Sequence, residues 1–170
     1  PLRWLEYSAS ASIMMFAIAF FAGTSTLTEL LLLVFLTATT MSFGWLTEEW
    51  NVLLAETDTA QVNDSASRWE RLMPHFAGWF PQLAAWSIVI SRFHDSASED
   101  ASSVEMPDFV YAIVYSEIVI FSLFAAVQIR QFYSPTSLKD HVTAEYTYSI
   151  LSITAKTVLA WIIFGSVLRP

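Results

Sequence analysis

With 170 residues, 55% of them hydrophobic, 15% aromatic and only 14% charged, the chain is too apolar for a soluble domain of its length. Sixteen acidic against eight basic residues give a formal net charge of −8, which argues against a nucleic-acid partner. Cysteine is absent, so a disulfide framework and a thiolate metal site are excluded. The composition is that of an all-α protein whose principal partner is the lipid bilayer.

Five apolar stretches follow one another, each near the roughly 20 residues that a helix needs to cross a bilayer. The first runs from Leu2 to Ala22. Pro1 stands where Met would open a chain, and Arg3 and Glu6 fall too early for the core of a signal peptide, so a truncated start is expected. Gly23-Thr24-Ser25-Thr26 makes a tight link, and the second stretch, Leu27 to Leu46, should be the antiparallel neighbour of the first. Glu48 to Arg71 is long, polar and acidic; Asn51 to Ala55 within it is a candidate short interfacial helix, and the rest reads as a solvated loop. The third stretch is Leu72 to Phe93, followed by a loop rich in Ser, Asp and Glu from His94 to Asp108. The fourth is Phe109 to Phe132, whose extension Pro135 limits, and the fifth is Val142 to Leu168. The whole chain, 1–170, reads as a single transmembrane helical domain.

Orientation follows from lysine and arginine near the span ends. One side carries Arg3, Arg68, Arg71, Arg130 and Lys139, the other Arg92 and Arg169, so the amino end is expected in the cytoplasm and the carboxyl end outside. Trp4, Trp45, Trp50, Trp69, Tyr111, Tyr133 and Tyr146 fall toward the span ends, where an aromatic belt sits at the headgroups. Asn63-Asp64-Ser65 matches a glycosylation acceptor but lies on the expected cytoplasmic side and is set aside. His75, His94 and His141 lack metal-ligand spacing, and neither a phosphate-binding glycine loop nor a Ser-His-Asp arrangement is present. Nothing in these motifs points to an enzyme or a metal site.

The chemistry concentrates in the charges inside the spans. Lys156 lies about three turns from either end of its stretch, too far for its stem to reach the headgroups. A lone ammonium at that depth costs about 3 kcal/mol on insertion scales and usually marks a function. In the first stretch Arg3, Glu6 and Ser10 share a face by the i, i+3 and i+4 rule. A buried carboxylate needs a partner, and pairing Glu6 with Lys156 across the bundle is the economical solution; a local Arg3/Glu6 pair is the alternative. The two helices run the same way, with Glu6 about 6 Å along the first and Lys156 about 15 Å beyond Tyr146 on the fifth, a gap that the lysine stem largely closes. Glu117, about two turns into the fourth stretch, is a second deep acid; it suits a proton or ion path and equally a neutral acid hydrogen-bonded to a neighbouring helix.

At these residues the chain resembles a known family. Arg3-Trp4-Leu5-Glu6-Tyr7-Ser8, with Tyr148-Ser149-Ile150-Leu151-Ser152-Ile153-Thr154-Ala155-Lys156-Thr157-Val158-Leu159-Ala160-Trp161, is similar to heliorhodopsin. The resemblance covers the whole chain and implies helices three to seven of a seven-helix retinal protein. It implies that Lys156 carries all-trans retinal as a Schiff base, that Glu6 is the counterion, and that Tyr7, Ser10 and Ser152 lie beside them. The physics agrees, because a buried imine keeps its proton only where an anion favours the cationic form. Two departures from proton-pumping relatives stand out: Ser152 occupies the position, four residues before the lysine, where such pumps carry a second carboxylate, and Ala17 the position of their proton donor. The resemblance also implies a cytoplasmic amino end, as the basic residues do, and a homodimer.

For the walls around a polyene, Met41, Trp79, Pro81, Phe121, Ser122 and Phe124 are the mid-helix candidates, since long apolar ligands need aromatic and flexible aliphatic surroundings. Gln128 is expected to join Ser10 and Ser152 in a polar network. The leading expectation is a light sensor that signals through an unknown cytoplasmic partner without ion pumping. The alternative is a light-gated proton or cation conductor using Glu117 and Glu6.

Overall fold

A computed structural model of the chain describes residues 2–60, 68–99, 107–133 and 138–167. Five helices account for nearly all of them: α1 (Leu2–Phe21), α2 (Leu27–Ala60), α3 (Arg68–Glu99), α4 (Asp108–Tyr133) and α5 (Leu138–Val167). The sequon at Asn63, the helix-limiting Pro135 and the basic Arg169 lie outside the described residues. Helices α1, α2, α4 and α5 hold stretches long and apolar enough to cross a membrane. α3 is the most polar of the five. It is long enough, but Glu70, Arg71, His75, Gln82 and Arg92 make it less apolar than the other four.

Two expected loops prove partly helical. The acidic link after Leu46 continues α2 to Ala60, so Asn51 to Ala55 is not a separate interfacial helix, and α3 likewise runs on past Phe93 to Glu99. The reason is local: Glu48 to Ala60 contains neither Gly nor Pro and is rich in Glu, Leu and Ala, good helix formers. Loss of hydrophobicity there marks a departure from the apolar layer without ending the helix.

The tight link after α1 is a left-handed cap. Gly23 has φ +98°, its N–H donates to the Phe20 carbonyl at 3.2 Å, and Thr24 N–H donates to Ala19 at 3.0 Å. These are the two reversed bonds of a Schellman motif, which satisfy carbonyls that the helix end would otherwise leave open. Inside α3, Pro74 has no N–H to give the carbonyl of Glu70. Trp50 of α2 supplies the missing donor, its Nε1 lying 2.9 Å from the Glu70 oxygen, while Asn51 Nδ2 donates to the Arg71 carbonyl at 2.9 Å. A proline defect in one helix thereby becomes a tie to its neighbour.

α2 packs most extensively against α3 and α1, and α4 against α5, whereas α1 touches α5 only sparingly. Close approach depends on glycine: a Cβ on Gly44 would fall 2.3 Å from the Trp4 ring, and one on Gly78 would fall 2.8 Å from Phe43 Cβ. Ser12 Oγ donates to the Val34 carbonyl at 3.2 Å, and Arg92 Nε donates to Glu29 Oε2 at 3.1 Å, fixing α1 and α3 on α2. The main core gathers Met15, Ile18, Leu33, Val89, Phe93 and Ile113. A second, smaller cluster of Trp4, Tyr7, Ala144 and Tyr148 lies between α1 and α5. Leu31, Leu32, Phe35, Val119, Leu123, Ile150 and Ile153 point outward, which suits side chains that face lipid.

Candidate functional site

A cleft of about 340 Å³, open mouth included, lies between α1, α4 and α5. Helical spacing builds its walls. Tyr7, Ser10, Ala11 and Met14 recur along one face of α1; Phe121 and Phe124 come from α4; Ser152, Ala155 and Lys156 come from α5; Met41 reaches in from α2. Apart from the two serines, the Tyr7 hydroxyl and the amine, the surroundings are aliphatic, aromatic or thioether.

Lys156 Nζ donates to Glu6 Oε1, joining the first and last helices. Half of the Glu6 side chain and 38% of the Lys156 side chain remain exposed, so the pair occupies the rim of the cleft rather than its floor. The floor is aromatic. Tyr7 meets Phe124 edge to face at 5.8 Å, Phe124 stacks on Tyr148 at 6.2 Å, and Trp4 meets Tyr7 and Tyr148 at 5.9 and 6.2 Å. Arg3, the nearest cation to Glu6 in sequence, does not pair with it. Its guanidinium pairs with Glu48 of α2 and Glu145 of α5 and lies over the rings of Trp4 and Tyr148.

Of the residues expected at the site, the structure brings Lys156, Glu6, Tyr7, Ser10, Ser152, Met41, Phe121 and Phe124 together. Trp79, Pro81 and Ser122 do not line the cleft. Trp79 Nε1 donates to His75 Nε2 at 3.1 Å; Pro81 is half-buried elsewhere on α3; Ser122 is exposed, its hydroxyl returned to the Ile118 carbonyl at 2.7 Å. Gln128 does not join Ser10 and Ser152 either. Its side chain bridges His75 Nδ1 at 2.7 Å and the Gly44 carbonyl at 2.8 Å, because its face of α4 meets α2 and α3. Since Trp79 donates to Nε2, the His75 proton sits on Nδ1 and is given to Gln128 Oε1, a chain that leaves every member satisfied. Ala11, Met14 and Ala155 were not anticipated. Ala11 lies one turn from Tyr7, Met14 one turn from Ser10 and Ala155 three residues from Ser152, so helical spacing from those expected residues was the available signal.

Glu117 lies outside the cleft, one turn before Phe121 on α4. It is fully buried, and neither carboxylate oxygen has a hydrogen-bond partner among the described residues.

These features define a class: a helical membrane protein that presents a primary amine, matched by a carboxylate, to an apolar cleft with aromatic walls. Such a donor set fits a long apolar aldehyde, with the amine to bind it covalently, the carboxylate to balance the charge, and Met41, Phe121 and Phe124 to flank it. A family model for heliorhodopsin matches residues 1–168, and the chain belongs to the heliorhodopsin family. It is therefore a retinal-binding, rhodopsin-like membrane protein. A comparison with curated proteins returns no match.

Proposed function

We propose that the chain is a light sensor in which Lys156 holds all-trans retinal as a protonated Schiff base and Glu6 is its counterion, without directed ion pumping. The observation that carries this reading is the Lys156–Glu6 pair at the rim of an apolar cleft. When bound, retinal supplies absorption of visible light and a change of shape at the lysine nitrogen. Glu6 stabilises positive charge at Lys156 Nζ, and Tyr7, Phe121 and Phe124 exclude water from the cleft floor. Ser152, one turn before Lys156, is not a carboxylate and accepts no proton as an anion; Ala17, about three turns beyond Glu6, offers no acid to return one. A proton displaced from the lysine nitrogen thus has Glu6 as its near acceptor and no acid at those two positions to carry it on, and the changed charge pair is what the surrounding packing reads. We place the amino end in the cytoplasm, with the chain acting as a homodimer on a cytoplasmic signalling partner.

The test is a visible spectrum of the protein in membranes with and without all-trans retinal, followed by borohydride trapping under light. A visible band that becomes covalently fixed on Lys156 is expected. A chromophore that stays unattached, or that attaches to another amine, overturns the reading.

Glu117 favours a second reading, a light-gated proton or cation conductor. A fully buried acid without a hydrogen-bond partner among the described residues is a costly feature in a plain scaffold and a common one on an ion path. Voltage-clamp recording under illumination separates the two. A photocurrent that reverses with the ion gradient and disappears in Glu117→Gln selects the conductor, and none selects the sensor.

A further inference from the structure

The pair that carries the proposed function joins two helices whose backbones approach only sparsely and which meet otherwise through aromatic rings and the Arg3–Glu145 pair. Between Glu145 and Lys156 α5 rises about 16 Å, and the eleven-residue spacing returns to nearly the same face. Between Arg3 and Glu6 α1 rises only about 4.5 Å. Both ties, Arg3–Glu145 and Glu6–Lys156, therefore close only when α1 sits at one height on α5, with the long stems of Arg3 and Lys156 spanning the difference. A slide of one turn would take Glu6 out of reach.

Of the two ties, the Arg3 end is the better anchored. The Arg3 side chain is 17% exposed and its pairing with Glu48, 21% exposed, fastens it to α2. Its guanidinium carbon lies 4.8 Å from the centre of the Tyr148 ring, a residue of α5 that is 99% buried, and 5.4 Å from Trp4. Cation–π contact of this kind gains strength as water is excluded. Glu145 is itself 58% exposed, so the Arg3 end is held chiefly by Glu48 and the two rings, whereas Lys156 reaches the half-exposed Glu6 through a flexible stem.

We infer that Arg3 is the positioning residue of the site: anchored on Glu48, Glu145 and the Tyr148 ring, it sets the height of α1 on α5 and so delivers Glu6 to Lys156. The inference rests on the proposed function only in taking that pair as the functional one, and its test needs no chromophore.

Because the chain has no cysteine, Leu5→Cys and Ile150→Cys, both at exposed positions, provide a single pair of spin labels on α1 and α5. Their separation is read by pulsed electron–electron resonance in lipid nanodiscs. Arg3→Ala is expected to lengthen and broaden the distance distribution, Arg3→Lys to restore part of it, and Glu6→Gln to leave it as in the parent. The double variant Glu48→Gln/Glu145→Gln, which keeps Arg3 and removes its carboxylates, is expected to move the distribution in the same direction and covers the case in which Arg3→Ala does not fold. An unchanged distribution in the double variant overturns the inference, as does an Arg3→Ala distribution that matches the parent or a Glu6→Gln shift as large as that of Arg3→Ala. A protein that shows the Arg3 shift but binds no retinal keeps this inference and loses the proposed function; a retinal band with unmoved labels does the reverse.

Discussion

The seam between α2 and α3 and the seam between α1 and α5 are built on different principles. The first is closed by close approach at Gly78, by Trp50 and Asn51 donating to α3 carbonyls, and by the Arg92–Glu29 pair. The second has sparse backbone contact and is held by two ion pairs and a knot of aromatic rings. A seam of neutral hydrogen bonds and packed atoms changes little when one group gains or loses a proton. A seam held by charge is more sensitive to that event, and Lys156 and Glu6 lie in it.

Breaking the charged seam at its chemical centre should give the largest effect. Lys156→Ala is expected to abolish the visible band entirely, read by absorption after adding retinal, while the helical circular dichroism stays. Next, Glu6→Gln should retain retinal but move the band, either to the red or into the near ultraviolet at neutral pH; an unmoved band would remove Glu6 from the counterion role. Between α1 and α2, Gly44→Ala places a methyl against the Trp4 ring and should cost about 1–3 kcal/mol, seen as a lower Tm. Trp50→Phe leaves the Glu70 carbonyl without the donor that replaces the one Pro74 lacks, and should cost about 1 kcal/mol by the same measurement. The smallest effect is a gain. Gly165→Ala adds a methyl where nothing lies within 4 Å and should raise stability by no more than about 1 kcal/mol. A Gly165→Ala loss as large as that of Gly44→Ala would mean that glycine packing does not distinguish the two places.

Helix number and order were legible because each apolar run is bounded by polar or turn-forming residues, and the same signal misplaced the ends of α2 and α3. Glu48 to Ala60 is polar, and hydrophobicity reports the surrounding medium, while helix continuation depends on backbone propensity. α3 is less apolar than the other four helices, and its His75 and Arg92 are matched by partners on α4 and α2 that the sequence alone does not pair. At the site, Lys156 and Glu6 stood out because charge in an apolar run is expensive and calls for a counter-charge. Phe121 and Ser122 were indistinguishable by type and depth, yet one lines the cleft and the other faces outward, since the rotation of α4 is decided by its neighbours. For Arg3, sequence proximity offered Glu6 only as the alternative partner, whereas Glu145, 142 positions away, became its partner through the fold.

The continuation of α2 to Ala60 carries one more implication. A helix of 34 residues is about 51 Å long, against a hydrocarbon layer of about 30 Å, so several turns of α2 extend past the oily zone. Trp50 and Asn51 bolt that projecting length to the start of α3, making a stiff mast rather than a loose tether. Any slight tilt at its base is magnified at its tip, beyond the hydrocarbon layer.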